Sequence, residues 1–186
     1  AALCAEIERL VRASGGRAFL LFTSYRGLED AYAALAARLP YTVLKQGEAP
    51  RGELLRRFRA DGAAVLFGTR SFWEGVDVVG DALSLVVIDR MPFTVPDDPV
   101  VSTRVERMKR EGQDWFNDLM LPTATLQLKQ GVGRLIRSRT DRGVVAILDS
   151  RLAHRSYGVR VIRALPPARL VRRIVDVESF FGVHKA

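Results

Sequence analysis

The stretch Ala18-Phe19-Leu20-Leu21-Phe22-Thr23-Ser24-Tyr25 decides the fold. Its first five residues are apolar without alternation, a pattern suited to a strand whose sheet is covered on both faces, as parallel α/β sheets are. The run then meets two hydroxyl residues, and Leu28, Ala31, Tyr32, Leu35 and Leu39 follow at helical spacing. Residues 18–23 therefore read as a buried strand that feeds an amphipathic helix, the repeating unit of an open α/β sheet.

The same cycle recurs downstream. Strands are expected at 41–44, 63–67, 83–88 and 143–148, and helices at 52–59, where Leu54, Leu55 and Phe58 point inward, and at 123–136. A further strand is expected at 159–165 and a terminal helix at 168–181. One excursion, 91–121, breaks the rhythm. It carries Met91-Pro92-Phe93 and Val95-Pro96-Asp97-Asp98-Pro99, then a charged helix at 100–111 and Trp115-Phe116. A long insertion at the carboxyl end of a parallel strand falls where such sheets bind their ligands. No repeat or linker divides the chain, so one domain over 1–186 is expected. Residues 3–11 already have helical patterning, without an initiator methionine or a cap, which suggests a piece of a larger protein.

The 186 residues include 48% hydrophobic ones, enough for a full core. Lys and Arg number 29 against 21 acidic residues, a net charge of +8 that favours a polyanionic partner such as nucleic acid, although an arginine-rich composition can arise without one. Cys4 is the only cysteine, which excludes an intrachain disulfide and any cysteine-built zinc or iron–sulfur site in this segment. The apolar runs are too short to cross a bilayer and no signal segment opens the chain, so a cytoplasmic protein without a membrane partner is expected.

Three segments are candidates for chemistry. In Gln130-Gly131-Val132-Gly133-Arg134-Leu135-Ile136-Arg137, two arginines three apart on a helix face one way and could neutralise charge on a transferred phosphoryl group; the same spacing also serves a solvated surface. Thr23 and Ser24 end a strand ahead of a helix, where hydroxyls and N–H groups hold phosphate or simply cap the helix. Phe67-Gly68-Thr69-Arg70-Ser71-Phe72-Trp73-Glu74-Gly75-Val76-Asp77 offers glycines for close backbone approach and two carboxylates that could accept from a ribose or orient an arginine; they could equally be loop acids. Trp73, Trp115 and Phe116 read first as core. Phe93, between prolines 92 and 96 on a loop, is the aromatic most suited to stacking on a base. His154 and His184 lack partners at metal spacing, and no metal site is expected.

Taken in order, Phe-Thr-Ser-Tyr, Gly-Thr-Arg-Ser-Phe-Trp-Glu-Gly-Val-Asp, Asp89-Arg90-Met91-Pro92-Phe93 and Gln-x-x-Gly-Arg-x-x-Arg closely resemble motifs IV, V and VI of the second motor domain of DinG/XPD-like superfamily 2 DNA helicases, nearer the bacterial DinG branch. The resemblance covers nearly the whole chain. It implies a RecA-like, mostly parallel sheet flanked by helices on both faces, with a helical excursion before the motif VI helix.

The resemblance also implies roles. Gln130, Arg134 and Arg137 match motif VI, with Arg137 as the arginine finger. Glu74, Gly75 and Asp77 match motif V, which couples the nucleotide to DNA grip; Gly133 and Arg151, in Asp149-Ser150-Arg151-Leu152, are further nucleotide-side candidates. Thr23, Ser24 and Tyr25, with Thr69, Arg70, Ser71 and Phe93, are the single-stranded DNA candidates. ATP and Mg2+ are expected to be held mainly by a first motor domain of the same polypeptide, which in this family carries the Gly-x-x-x-x-Gly-Lys-Ser/Thr and Asp-Glu-x-His motifs missing from these 186 residues. An iron–sulfur cluster can belong to that domain. A monomer moving 5′ to 3′ along DNA is implied, and the isolated segment should not hydrolyse ATP. The alternative is a catalytically silent RecA-like module that binds nucleic acid or a protein.

Overall fold

The computed structural model describes residues 2–69, 72, 83–94, 98–133, 135 and 142–182. Among these, five parallel strands form one sheet of order β2-β3-β1-β4-β5: β1 (Ala18–Phe22), β2 (Val43–Lys45), β3 (Val65–Thr69), β4 (Leu85–Ile88) and β5 (Val144–Ile147). The register aligns Ala18 with Val65 on one side and with Leu85 on the other, so β1 is hydrogen-bonded along both edges.

All five residues of β1 are buried, and the pleat divides them between two cores. Phe19 and Leu21 pack with Leu54 and Phe58 of α3 (Arg51–Asp61) and Leu128 of α5 (Leu121–Val132); the Phe19 and Phe58 ring centres lie 4.7 Å apart. Leu20 and Phe22 turn to the opposite face, against Ile7 and Leu10 of α1 (Ala2–Ala13), Leu28 and Leu35 of α2 (Tyr25–Leu35), and Val177 of α8 (Ile174–Phe180). Unbroken apolar strands and double-sided coverage are thus one fact seen at two levels.

After β1 the chain runs outward through α2 to β2 and returns to β3, whereas after β4 it leaves in the other direction for β5. The connections diverge between β1 and β4, the position where open α/β sheets form a crevice beyond their carboxyl ends. The excursion starts there. Its helix α4 (Pro99–Arg110) is capped by Asp98, whose carboxylate accepts the Val100 and Val101 N–H groups at 2.9 and 3.3 Å, and it buries none of its residues. A π turn (Phe116–Met120) then runs directly into α5.

Three local expectations need correction. Residues 159–165 form no strand; 159–164 belong to α7 (Gly158–Ala164), with Leu165 as its C-cap, and α7 follows the short α6 (Arg151–His154). The β-branched Val159, Val161 and Ile162 suggested a strand, but Gly158 and Val161 are buried and Val159 is 58% exposed, a helical burial spacing that outweighs propensity. The terminal helix is confined to Ile174–Phe180, with Arg173 turned back as its N-cap to pair with Asp176 at 3.0 Å. Extending it to 168 would line up Arg169, Arg172 and Arg173 within one turn, where like charges repel. The helix expected over 123–136 starts at Leu121 and ends at Val132, with Gly133 as its C-cap.

Gly158 carries the α6–α7 corner. A Cβ there would come within 2.0 Å of the Leu152 carbonyl oxygen. Gly158→Ala is expected to destabilise the domain by about 1–3 kcal/mol, the range for overpacking a closed site; a thermal melt checks this, and an unchanged midpoint would contradict the packing.

Candidate functional site

The carboxyl ends of the strands gather the polar residues that the buried strands exclude. Thr23 directly follows β1, and its N–H donates to Asp89 Oδ1 at 2.9 Å while its hydroxyl donates to Oδ2 at 3.3 Å. Asp89 follows β4 and is 5% exposed, so this carboxylate bridges the two strands at the point where the chain diverges. Burial pushes its pKa above the ordinary aspartate value, outweighing the Thr23 hydrogen bonds and the charge of Arg90.

Ser24 is the N-cap of α2, its Oγ accepting the Gly27 N–H at 3.1 Å. The N–H groups of Tyr25 and Arg26 open the helix without an intrahelical partner. Tyr25 is half exposed and donates its hydroxyl to the Gln46 carbonyl at 3.2 Å. Capping and anion binding use the same geometry here.

Thr69 ends β3 much as Thr23 follows β1. Its N–H and hydroxyl both reach Gln46 Oε1, at 2.7 and 2.9 Å. The N–H requires an acceptor, which fixes the orientation of the Gln46 amide. Both strand-end threonines therefore commit their donors to another side chain of the protein.

Beyond β5, Asp149 is 8% exposed. It accepts the Met91 N–H at 2.8 Å and the Arg151 N–H at 3.0 Å, and the Arg151 guanidinium closes a fork on it, Nε to Oδ1 at 2.9 Å and Nη2 to Oδ2 at 2.7 Å. The same guanidinium lies over the Phe93 ring, 5.1 Å from its centre. Phe93 in turn packs with Phe116 and Tyr157, at 5.7 and 6.2 Å between centres. Burial alone would raise the Asp149 pKa, but hydrogen bonds from Arg151 and Met91 and the positive charge of Arg151 prevail and hold it low. Arg151 is raised chiefly by its hydrogen bond to Asp149.

Gln130 lies exposed on the last turn of α5, and Gly133 is exposed at its cap. Arg134, Arg137, Glu74, Gly75, Asp77, Arg70 and Ser71 lie outside the described residues, as does Trp73. Among the described residues no group of three or more His, Cys, Asp or Glu side chains converges as a metal site, and no helix is long and apolar enough to cross a membrane.

Sequence reasoning gave no role to Asp89, Asp149 or Gln46. For the two aspartates a signal existed, since each is a lone carboxylate directly after an apolar strand run; Gln46 had none, because its partners are 21 and 23 residues away.

A parallel sheet covered on both faces, with its polar loops collected at one edge, is a doubly covered α/β architecture, here of the RecA-like kind. Residues 7–168 match the helicase C-terminal domain, and the chain belongs to that family, on its DinG/YoaA-like branch. It is 46% identical over 181 residues to the ATP-dependent DNA helicase YoaA of Escherichia coli (strain K12), across 97% of this chain and 28% of that protein. To the ATP-dependent helicase DinG of Mycobacterium tuberculosis it is 48% identical over 162 residues, across 87% of this chain and 24% of the relative. The chain thus spans about a quarter of the length of these relatives. The solved structure of Xpd4 from S. tokodaii shares the fold, with a TM-score of 0.63 over 88% of this chain and 33% of that one, at 20% identity.

The two buried aspartates make opposite contributions to stability in acid. Asp149, with a lowered folded pKa, stabilises above its unfolded value and loses that contribution as pH falls through the folded one. Asp89, with a raised folded pKa, penalises the fold once pH exceeds its unfolded value, and acid relieves the penalty. In melts taken from about pH 6 down to about pH 3, around the ordinary aspartate value near 3.9, Asp149→Asn is expected to lose less stability than wild type, and Asp89→Asn more. At neutral pH Asp149→Asn should cost about 1–3 kcal/mol through weakened donor pairing. Parallel curves for all three proteins would contradict the assignment.

Proposed function

We propose that residues 1–186 form the second motor domain of an ATP-dependent DNA helicase, working 5′ to 3′ on single-stranded DNA, with 91–121 as its excursion. The observation that carries this reading is the order of the motifs along a RecA-like sheet, within a family match over 7–168. The parent is read as an ATP-hydrolysing, cytoplasmic, monomeric enzyme, and the isolated domain as inactive.

Arg137 is assigned as the arginine finger, with Arg134 and Gln130 in the same motif; Gln130 is exposed on the last turn of α5, which leads into that segment. Arginine is permanently charged and forked, so it can stabilise the transferring phosphoryl group from across a domain cleft. Mg2+ and the triphosphate are assigned mainly to the first motor domain. Glu74, Gly75, Asp77 and Gly133 complete the nucleotide side of this domain, and Arg151, braced by Asp149, faces the same cleft in this reading.

Ser24, Tyr25, Arg70 and Ser71 are assigned to the DNA backbone, supported by the open first turn of α2 and by the excess positive charge. Thr23 and Thr69 have their donors committed to Asp89 and Gln46, so they are assigned to the roots of the two loops. Phe93, also read as a DNA-side residue, carries the Arg151 guanidinium and packs with Phe116, so it positions that arginine at the same edge. ATP binding would close the cleft onto the arginines and hydrolysis would release it, so that the DNA contacts alternately hold and slide.

In the full-length parent, Arg137→Ala is expected to reduce DNA-stimulated ATPase by about 10³-fold or more, as for a lost arginine finger, while leaving DNA affinity nearly unchanged; normal turnover would sink the assignment. The isolated domain should bind single-stranded DNA weakly, with affinity falling steeply as salt rises from about 50 to 200 mM. Salt-independent binding would favour a protein partner instead.

A further inference from the structure

The turn after β2 is tied to α2 along one stripe of that helix. Tyr25 donates its hydroxyl to the Gln46 carbonyl at 3.2 Å. Glu29 accepts Lys45 Nζ at 3.0 Å. Tyr32 donates to Glu48 Oε1 at 3.0 Å, while Glu48 Oε2 accepts the Lys45 N–H at 3.1 Å. Positions 25, 29 and 32 are spaced i, i+4, i+7, which puts all three on one face. Lys45 also sits over the Tyr32 ring, 4.6 Å from its centre.

Gln46 extends this unit to the neighbouring strand. Its N–H donates to the Phe67 carbonyl at 2.9 Å, continuing the β2–β3 ladder by one residue. Its side chain then reaches past the ladder to take both Thr69 donors on a single oxygen. Gly47 permits the approach: its φ is +99°, and a Cβ there would lie 2.7 Å from the Tyr25 hydroxyl. One residue thus fastens the end of β3, where the 70–82 segment begins, to the helix that opens at Ser24.

We propose that Gln46 is a positioning residue that fixes the Thr69 end of β3 relative to the Ser24–Tyr25 start of α2, and so sets how this domain's backbone contacts engage one DNA strand. This rests on the reading of that edge as the DNA-facing part of a helicase. Neither Gln46 side-chain atom needs to touch DNA. Its amide oxygen holds both Thr69 donors and so fixes the end of β3.

The test uses the full-length parent and measures ATPase against the concentration of single-stranded oligonucleotide. Gln46→Met keeps the side-chain length and removes the acceptor. The half-saturating DNA concentration is expected to rise about tenfold, while turnover at saturating DNA falls less than about threefold, a loss of uniform binding rather than of chemistry. Gln46→Glu restores an acceptor oxygen and should recover at least half of the loss, which a general packing role would not produce. An unchanged half-saturation in Gln46→Met, or equal losses in the Met and Glu variants, overturns the proposal. Should Gln46→Met fail to fold, Thr69→Val carries the test, since it deletes only the hydroxyl bond: a threefold or larger rise supports the link and an unchanged value overturns it. A wild-type parent without DNA-stimulated ATPase would instead overturn the helicase reading itself.

Discussion

Double-sided burial of β1 is the constraint on which the rest of this structure depends. A strand with no polar face and hydrogen bonds along both edges can present chemistry only where it ends. Ala18–Phe22 fills two cores at once, so Thr23, directly after the strand, is the first polar residue that it delivers to the edge. The same restriction acts on β3 and β4, whose ends deliver Thr69 and Asp89 to the same edge. Covering the sheet on both faces is therefore what collects the site.

At that edge the protein satisfies its own polar groups with economy. Asp89 takes both donors of Thr23, Gln46 takes both donors of Thr69, and Asp149 takes the Met91 N–H together with the Arg151 fork. A buried polar group left unpaired costs about 1–3 kcal/mol, so each of these arrangements resists displacement. The two aspartates differ in kind. Asp149 is compensated by a neighbouring cation and stays readily ionised, whereas burial makes the Asp89 charge costly. The first arrangement suits a fixed brace for an arginine, and the second a tightly held seam between two strands.

Much of the architecture was legible in the sequence because apolar runs without alternation dictate a covered parallel sheet, as in Ala18–Phe22 and Leu85–Ile88. Ser24 as a helix cap and the inward Leu54, Leu55 and Phe58 were equally visible, since each follows from local spacing. What misled was propensity at residues 159–165, where β-branched side chains belong to a helix whose burial is set by the α6–α7 corner. What stayed hidden was long-range polar pairing. Gln46 to Thr69 and Asp149 to Met91 leave no periodic trace, because their partners are 23 and 58 residues apart and meet only once the sheet has assembled. Phe93 illustrates the same limit: its loop setting between prolines was readable, but the Arg151 guanidinium over its ring was not.

The central claim is that this domain supplies one side of an ATPase site and needs the other side in order to act. The direct test is ATP hydrolysis by the isolated chain beside its full-length parent, each with and without single-stranded DNA. A silent isolated chain and a DNA-stimulated parent is the predicted result. Turnover by the isolated chain, or a parent that does not hydrolyse ATP, would contradict the account.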